Sequence, residues 1–136
     1  MLNAKLFAGL AGLAFVIAIL GRVHALPRAD LSLSVANMAF GAFYTHLFIA
    51  LVCAVFGFAY FGLVHLTQRP INQTTGLVGF ILIGVASVVW LVSSSLATSD
   101  SLRNRWLLIV LFGAIFSFIL GVALTAANLA WVLVRK

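Results

Sequence analysis

The residue with the most chemical potential is His46, which stands inside the uninterrupted apolar run Phe43 to Leu66. An imidazole placed in hydrocarbon needs a hydrogen-bond partner, a metal or a cofactor, because an unsatisfied polar group there costs several kcal/mol. His46 is therefore the first candidate site. From His46, alternating steps of four and three residues reach Ala50, Cys53, Gly57 and Tyr60, so small side chains line the imidazole's own side of a helix. A bulky ligand can lie against such a stripe. Phe43, Phe48, Phe56, Phe58 and Phe61 surround the rest of that helix and suit either a porphyrin wall or a lipid face. The plainer alternative for His46 is a hydrogen bond to a Ser, Thr or carbonyl of a neighbouring helix. Thr45 beside it has a local outlet, its own helix's carbonyls.

No other residue completes that site. His24 follows the first apolar run, and His65 lies 19 residues beyond His46, a helical distance of ~28 Å. Cys53 is the single cysteine, so no disulfide framework exists; the ordinary role of such a residue is small apolar packing. The sequence contains no CxxC, HxxxH, glycine-rich phosphate loop, nucleophile triad or paired carboxylates. Asp30 and Asp100 are the only acidic residues and fall outside the apolar runs. The intramembrane carboxylate relay usual in ion-coupled pumps is thus missing, and autonomous catalysis and proton-coupled transport are disfavoured. Asn128 and Ser93-Ser94-Ser95, near the ends of their runs, suggest helix-end solvation.

The elements that position these residues follow from composition. Of 136 residues, 65% are hydrophobic and 7% charged, with a mean hydropathy of +1.25. Soluble domains carry roughly a quarter charged residues, so the chain is expected to be an integral membrane protein. The +6 net charge comes from Lys and Arg at the ends of apolar runs, where they anchor to lipid headgroups; nucleic acid is not implied. Four spans are expected, at about 6–20, 40–66, 75–97 and 106–134. They are helical, since the runs lack the alternation of a membrane barrel. The expected fold is an all-α, polytopic, up-down four-helix bundle filling residues 1–136 as one transmembrane domain. The longest connection, Arg22 to Val35, contains Pro27, Arg28 and Asp30 and has room for a short interfacial segment.

A competing reading takes the first 25 residues as a cleaved signal, with Lys5 as the basic start and Val23-His24-Ala25 before the cut. Arg22 at the end of the apolar core and Pro27 just past the cut fit that reading poorly, so a retained span is expected. Lys5, Arg69, Arg135 and Lys136 belong to one membrane side and Arg22, Arg28, Arg103 and Arg105 to the other; an even count leaves orientation open. Trp106 and Trp131 near the ends of the fourth span match interfacial belt positions, whereas Trp90 lies within the third.

Packing signals are stronger than chemical ones. Gly113, Ser117, Gly121 and Thr125 recur every four residues along the fourth span, a ribbon on which helix backbones can approach closely. Ala8 with Gly12, Ala14 with Ala18, and Gly76, Gly79 and Gly84 offer similar faces. These faces serve either packing within the chain or contact with another subunit or a second copy.

The stretch Phe40-Gly41-Ala42-Phe43-Tyr44-Thr45-His46, followed by Gly57, Tyr60 and a closing Gln68-Arg69, resembles the second transmembrane helix of the heme-copper oxidase catalytic subunit. The likeness leans towards the C-type oxidases and nitric oxide reductases and covers about 35 residues. It implies that His46 is the counterpart of an axial ligand of the low-spin heme, a heme b, with Ala50, Cys53 and Gly57 facing the macrocycle. It also implies a cytoplasmic N-terminus; the expected location is a bacterial inner membrane with both termini cytoplasmic. The family's second heme ligand and its copper-binding histidines come from later helices that have no counterpart here, so the chain is not an oxidase by itself. Two functions follow as expectations: a non-catalytic accessory subunit of a larger, respiratory or other energy-converting membrane complex or of a homo-oligomer, and a b-type heme electron-transfer protein. A heme shared by His46 of two copies is compatible with twofold symmetry. A channel or transporter has no support in an interrupted helix or a charged pore lining.

Overall fold

The computed structural model describes residues 2–25, 33–68, 71–96 and 105–134, with side chains over 2–20, 43–68, 71–93, 106 and 108–134. Four helices occupy them: α1 (Leu2–Ala25), α2 (Leu33–Thr67), α3 (Gln73–Leu96) and α4 (Arg105–Val134). All four contain stretches long and apolar enough to cross a membrane, namely Leu2–Leu20, Phe43–Thr67, Gln73–Ser93 and Leu108–Val134. The chain is an all-α four-helix bundle of membrane-spanning helices. Helix is the form in which a lone segment satisfies its own backbone in lipid.

Three boundaries differ most from the sequence reading. α1 begins at Leu2 and continues to Ala25, beyond the apolar core expected at 6–20; α2 begins at Leu33, well before the apolar run of Phe43. Hydropathy marks where lipid can hold a helix, but helical hydrogen bonding continues through Lys5 and Arg22, which a charged side chain does not interrupt. The expected interfacial segment around Pro27, Arg28 and Asp30 lies outside the described residues, as do Asp100 and Arg103.

The turn between α2 and α3 shows why those helices stop where they do. The Thr67 hydroxyl donates back to the Leu63 carbonyl (2.6 Å), and Gln68 then adopts a left-handed backbone (φ 50°). From there its N–H donates to the Val64 carbonyl (3.2 Å), closing α2. Asn72 caps α3: its side-chain oxygen accepts from the Thr75 N–H (3.2 Å), which satisfies one of the first turn's free donors.

Packing is organised as two antiparallel hairpins, α1 with α2 and α3 with α4, joined by lighter contacts of α3 with α1 and α2 and of α2 with α4. In the first hairpin the missing side chain of Gly57 allows a close approach, where a Cβ would lie 3.4 Å from the Ala8 nitrogen and 3.5 Å from the Ala4 carbonyl. In the second, Gly79 and Gly121 face each other: a Cβ on Gly121 would lie 2.9 Å from the Gly79 carbonyl. Such contacts gain dispersion that lipid cannot supply, and lipid removes the usual hydrophobic drive. Between the hairpins stands Phe7, fully buried, stacked on Tyr60 (5.7 Å, 15°) and edge-on to Phe80 (5.6 Å, 89°). It ties α1 to α2 and α3 through its ring faces and edges.

Candidate functional site

His46 points inward and is 1% exposed. Ala50, Cys53, Gly57 and Tyr60 are buried on the same side of α2, so the four-and-three stripe is an interior face. Gly57 sets the antiparallel register by lying over Ala4 and Ala8; continuing that register brings the buried Ala14 and Ala18 of α1 to the level of His46 and Ala50. The ring is therefore level with small side chains of α1. Its Nε2 is buried with no hydrogen-bond partner, while the residue is engaged through another contact. Of the surrounding phenylalanines, Phe48, Phe58 and Phe61 face outward, and Phe56 turns in against Phe7 at 5.6 Å.

A porphyrin on His46 has chemistry in its favour and space against it. The imidazole is a competent axial donor. Yet Ala50 and Cys53, two of the three residues expected to face a macrocycle, are 6% and 0% exposed, and the third, Gly57, packs against Ala4 and Ala8. Neither of the two described grooves includes His46: one of about 180 Å³ runs beside Phe48, Ile49, Ala86 and Phe118, and one of about 530 Å³ runs between α1 and α2. As packed, the buried Ala50 and Cys53 leave no room for the group on their own face of α2. His65 is held edge-on to Phe61 at 4.5 Å, far along α2 from His46, and the His24 side chain lies outside the described residues. Among the described residues no three His, Cys, Asp or Glu side chains come together as a metal site.

Among the described residues the densest polar assembly is elsewhere, at the bundle end where α1 and α3 begin and α2 and α4 finish. The Asn128 amide of α4 donates to the Tyr60 phenol oxygen (2.9 Å) and to the Asn72 carbonyl (2.9 Å). That carbonyl also accepts the Gly76 N–H (3.2 Å). From α1, the Asn3 amide donates to the Gln73 carbonyl (3.3 Å). Its oxygen is buried with no partner. Gly76 makes the meeting possible, because a Cβ there would overlap the Asn3 amide and lie 2.7 Å from the Tyr60 oxygen. These groups are neutral, and their hydrogen bonds join α4 to α2 and to the start of α3, and α1 to α3, so the assembly clamps four helices.

Asn128 was expected to solvate a helix end; at 5% exposure it joins helices instead. Asn3 was not singled out, although an amide in the first turn of one apolar helix and another in the last turns of a second is a readable signal. Ser93 is buried, and the side chains of Ser94 and Ser95 lie outside the described residues. Along the ribbon of α4, Ser117 donates to the Leu82 carbonyl of α3 (3.1 Å), Gly121 faces Gly79, and Thr125 bonds its own Gly121 carbonyl (2.8 Å). Gly113 alone has open space above it. Trp106 and Trp131 are exposed near opposite ends of α4, as belt residues are.

Compared with known proteins, the chain matches no family model, no curated protein and no solved structure.

Proposed function

We propose that this membrane protein is a non-catalytic subunit whose work is assembly: its outer helix faces pack against a larger membrane complex, respiratory or otherwise energy-converting, or against copies of itself. One observation carries the reading. Gly9 and Gly12 of α1 both point out of the bundle with nothing within 4 Å of where a Cβ would stand, flanked on the same face by exposed Leu13 and Val16. A glycine in a helix interior costs about 1 kcal/mol relative to alanine, and here no intrachain contact offsets it. A close-packed neighbouring helix does offset it.

Purification in mild detergent tests the reading. The expected result is a species larger than one chain, containing either co-purifying membrane subunits or further copies. Gly9→Leu combined with Gly12→Leu dissociates it while helix content stays constant. A lone chain extracted from its native membrane, or an assembly indifferent to both substitutions, overturns the proposal. In the same reading the membrane is a bacterial inner membrane with both termini cytoplasmic, supported by the likeness to the oxidase helix; a reporter fused after Lys136 checks the orientation.

A second reading, b-type heme on His46, is favoured by a single fact: an intramembrane imidazole turned inward at 1% exposure. It requires the α1–α2 packing around Ala50 and Cys53 to open. A sharp alpha band in reduced-minus-oxidised spectra that vanishes in His46→Ala supports it, and a colourless, assembled preparation removes it.

A further inference from the structure

The larger groove, about 530 Å³, runs between α1 and α2 on the outside of the first hairpin and is lined by Ala8, Ala54, Gly57, Phe58, Phe61 and, towards the start of α1, Lys5. Its volume is within the range of ligand clefts, roughly 300–1,000 Å³. Small residues form it because α1 and α2 approach closely at Gly57, and the outward rings of Phe58 and Phe61 stand beside that approach. The channel is apolar apart from its one ammonium. Lys5 is exposed and lies one turn inside α1, a depth from which its four-carbon stem carries the charge up to headgroup level.

Charge selects the occupant. On the bundle end that holds Lys5, the sequence supplies Arg69 after α2 and Arg135-Lys136 after α4, with no acidic side chain. Both aspartates, Asp30 and Asp100, belong to the connections at the opposite end. An apolar channel capped by a cation, at a membrane surface whose other charged side chains are all basic, matches the layout of one lipid: acyl chain below, phosphate above. We propose that the α1–α2 groove binds an anionic phospholipid, its acyl chain lying over Ala8 and Ala54 and its headgroup phosphate paired with Lys5. On α1 this site borders the proposed assembly face, Lys5 standing one turn from Gly9 and Ala8 one turn from Gly12, so bound lipid is counted per chain whatever the number of copies.

Native mass spectrometry of the full chain, released from nanodiscs of equimolar phosphatidylglycerol and phosphatidylcholine with identical acyl chains, tests it. One phosphatidylglycerol per chain is expected to be retained in preference to phosphatidylcholine. Lys5→Gln lowers that preference about fivefold, the ratio equivalent to the ~1 kcal/mol that a basic residue contributes near an anionic surface. Lys5→Arg preserves it, and Ala8→Phe, which fills the groove, abolishes retention of both lipids. Equal retention of the two lipids, no retained lipid, or a preference unchanged in Lys5→Gln overturns the proposal, whether the chain is released alone or with further copies. Lys5 is exposed, so its substitutions leave folding intact and the outcome readable.

Discussion

The Asn128 amide and the Tyr60 phenol meet at 2.9 Å across 68 residues of chain, joining the last turns of α4 to the last turns of α2. The same amide reaches the Asn72 carbonyl at 2.9 Å, so one side chain closes the bundle end and the α2–α3 turn together. Asn128→Ala loses both bonds and leaves the partly buried Asn72 carbonyl with only the Gly76 N–H; Tyr60→Phe loses one. Interhelical hydrogen bonds in membranes average about 0.6 kcal/mol each. The expected losses are about 1–2 kcal/mol for Asn128→Ala and about 0.5 kcal/mol for Tyr60→Phe, with a coupling of about 0.6 kcal/mol in the double mutant. Detergent-titrated unfolding followed by circular dichroism measures all three. Equal effects from the two single substitutions contradict the double role of Asn128.

Gln68 carries a left-handed backbone at φ 50°, a conformation that costs a non-glycine residue roughly 1 kcal/mol. Gln68→Gly relieves that cost and loses part of the gain to unfolded-state entropy, so stability is expected to rise by about 0.5 kcal/mol. Gln68→Val is expected to lower it by about 1 kcal/mol, since branching at Cβ is least tolerated there. On the other side of the turn, Asn72→Ala removes the cap on Thr75 and costs about 1 kcal/mol. Thermal midpoints in a fixed detergent rank the three variants, and a destabilised Gln68→Gly shows that the turn is not the αL cap described.

Local periodicity made the helices and their faces legible, and long-range pairing stayed hidden. Hydropathy runs located four spans because lipid demands about 20 apolar residues in succession, and the step from His46 through Ala50, Cys53 and Gly57 traced a face that the fold buries. The α4 ribbon was likewise visible as a repeat, though repetition did not say which neighbour it meets; Ser117 to Leu82 and Gly121 to Gly79 place it against α3. Asn3 and Asn128 are different. Their partners lie 70 and 56 to 68 residues away, and no spacing within a single helix encodes that. Helix ends were also blurred, because Lys5 and Arg22 lower hydropathy without ending α1.

Glycines that look alike in sequence are expected to respond oppositely. At Gly121 an added Cβ falls 2.8 Å from the Ile83 side chain and 2.9 Å from the Gly79 carbonyl, and backbone cannot step aside cheaply. Gly121→Ala is expected to cost about 1–3 kcal/mol by forcing α3 and α4 apart. Gly62 of α2 has nothing within 4 Å, so Gly62→Ala gains helix propensity, up to about 1 kcal/mol. Opposite signs in the same unfolding titration support the α3–α4 crossing; matching signs contradict it.

Cys53 offers a readout of whether the first hairpin is closed. It is 0% exposed and sits on the face of α2 that α1 covers at Gly57. A thiol reacts only when it can meet the reagent as thiolate, so maleimide labelling of the folded chain is expected to be slower than in denaturant by at least tenfold, the ratio set by local opening. Gly57→Leu, which drives a bulky side chain against Ala4 and Ala8, is expected to raise the labelling rate towards the denatured value, whereas Gly62→Ala leaves it unchanged. Mass spectrometry of timed samples gives the rates. Fast labelling of the unmodified chain in mild detergent shows that α1 does not cover Cys53 and removes the hairpin on which the burial of His46 depends.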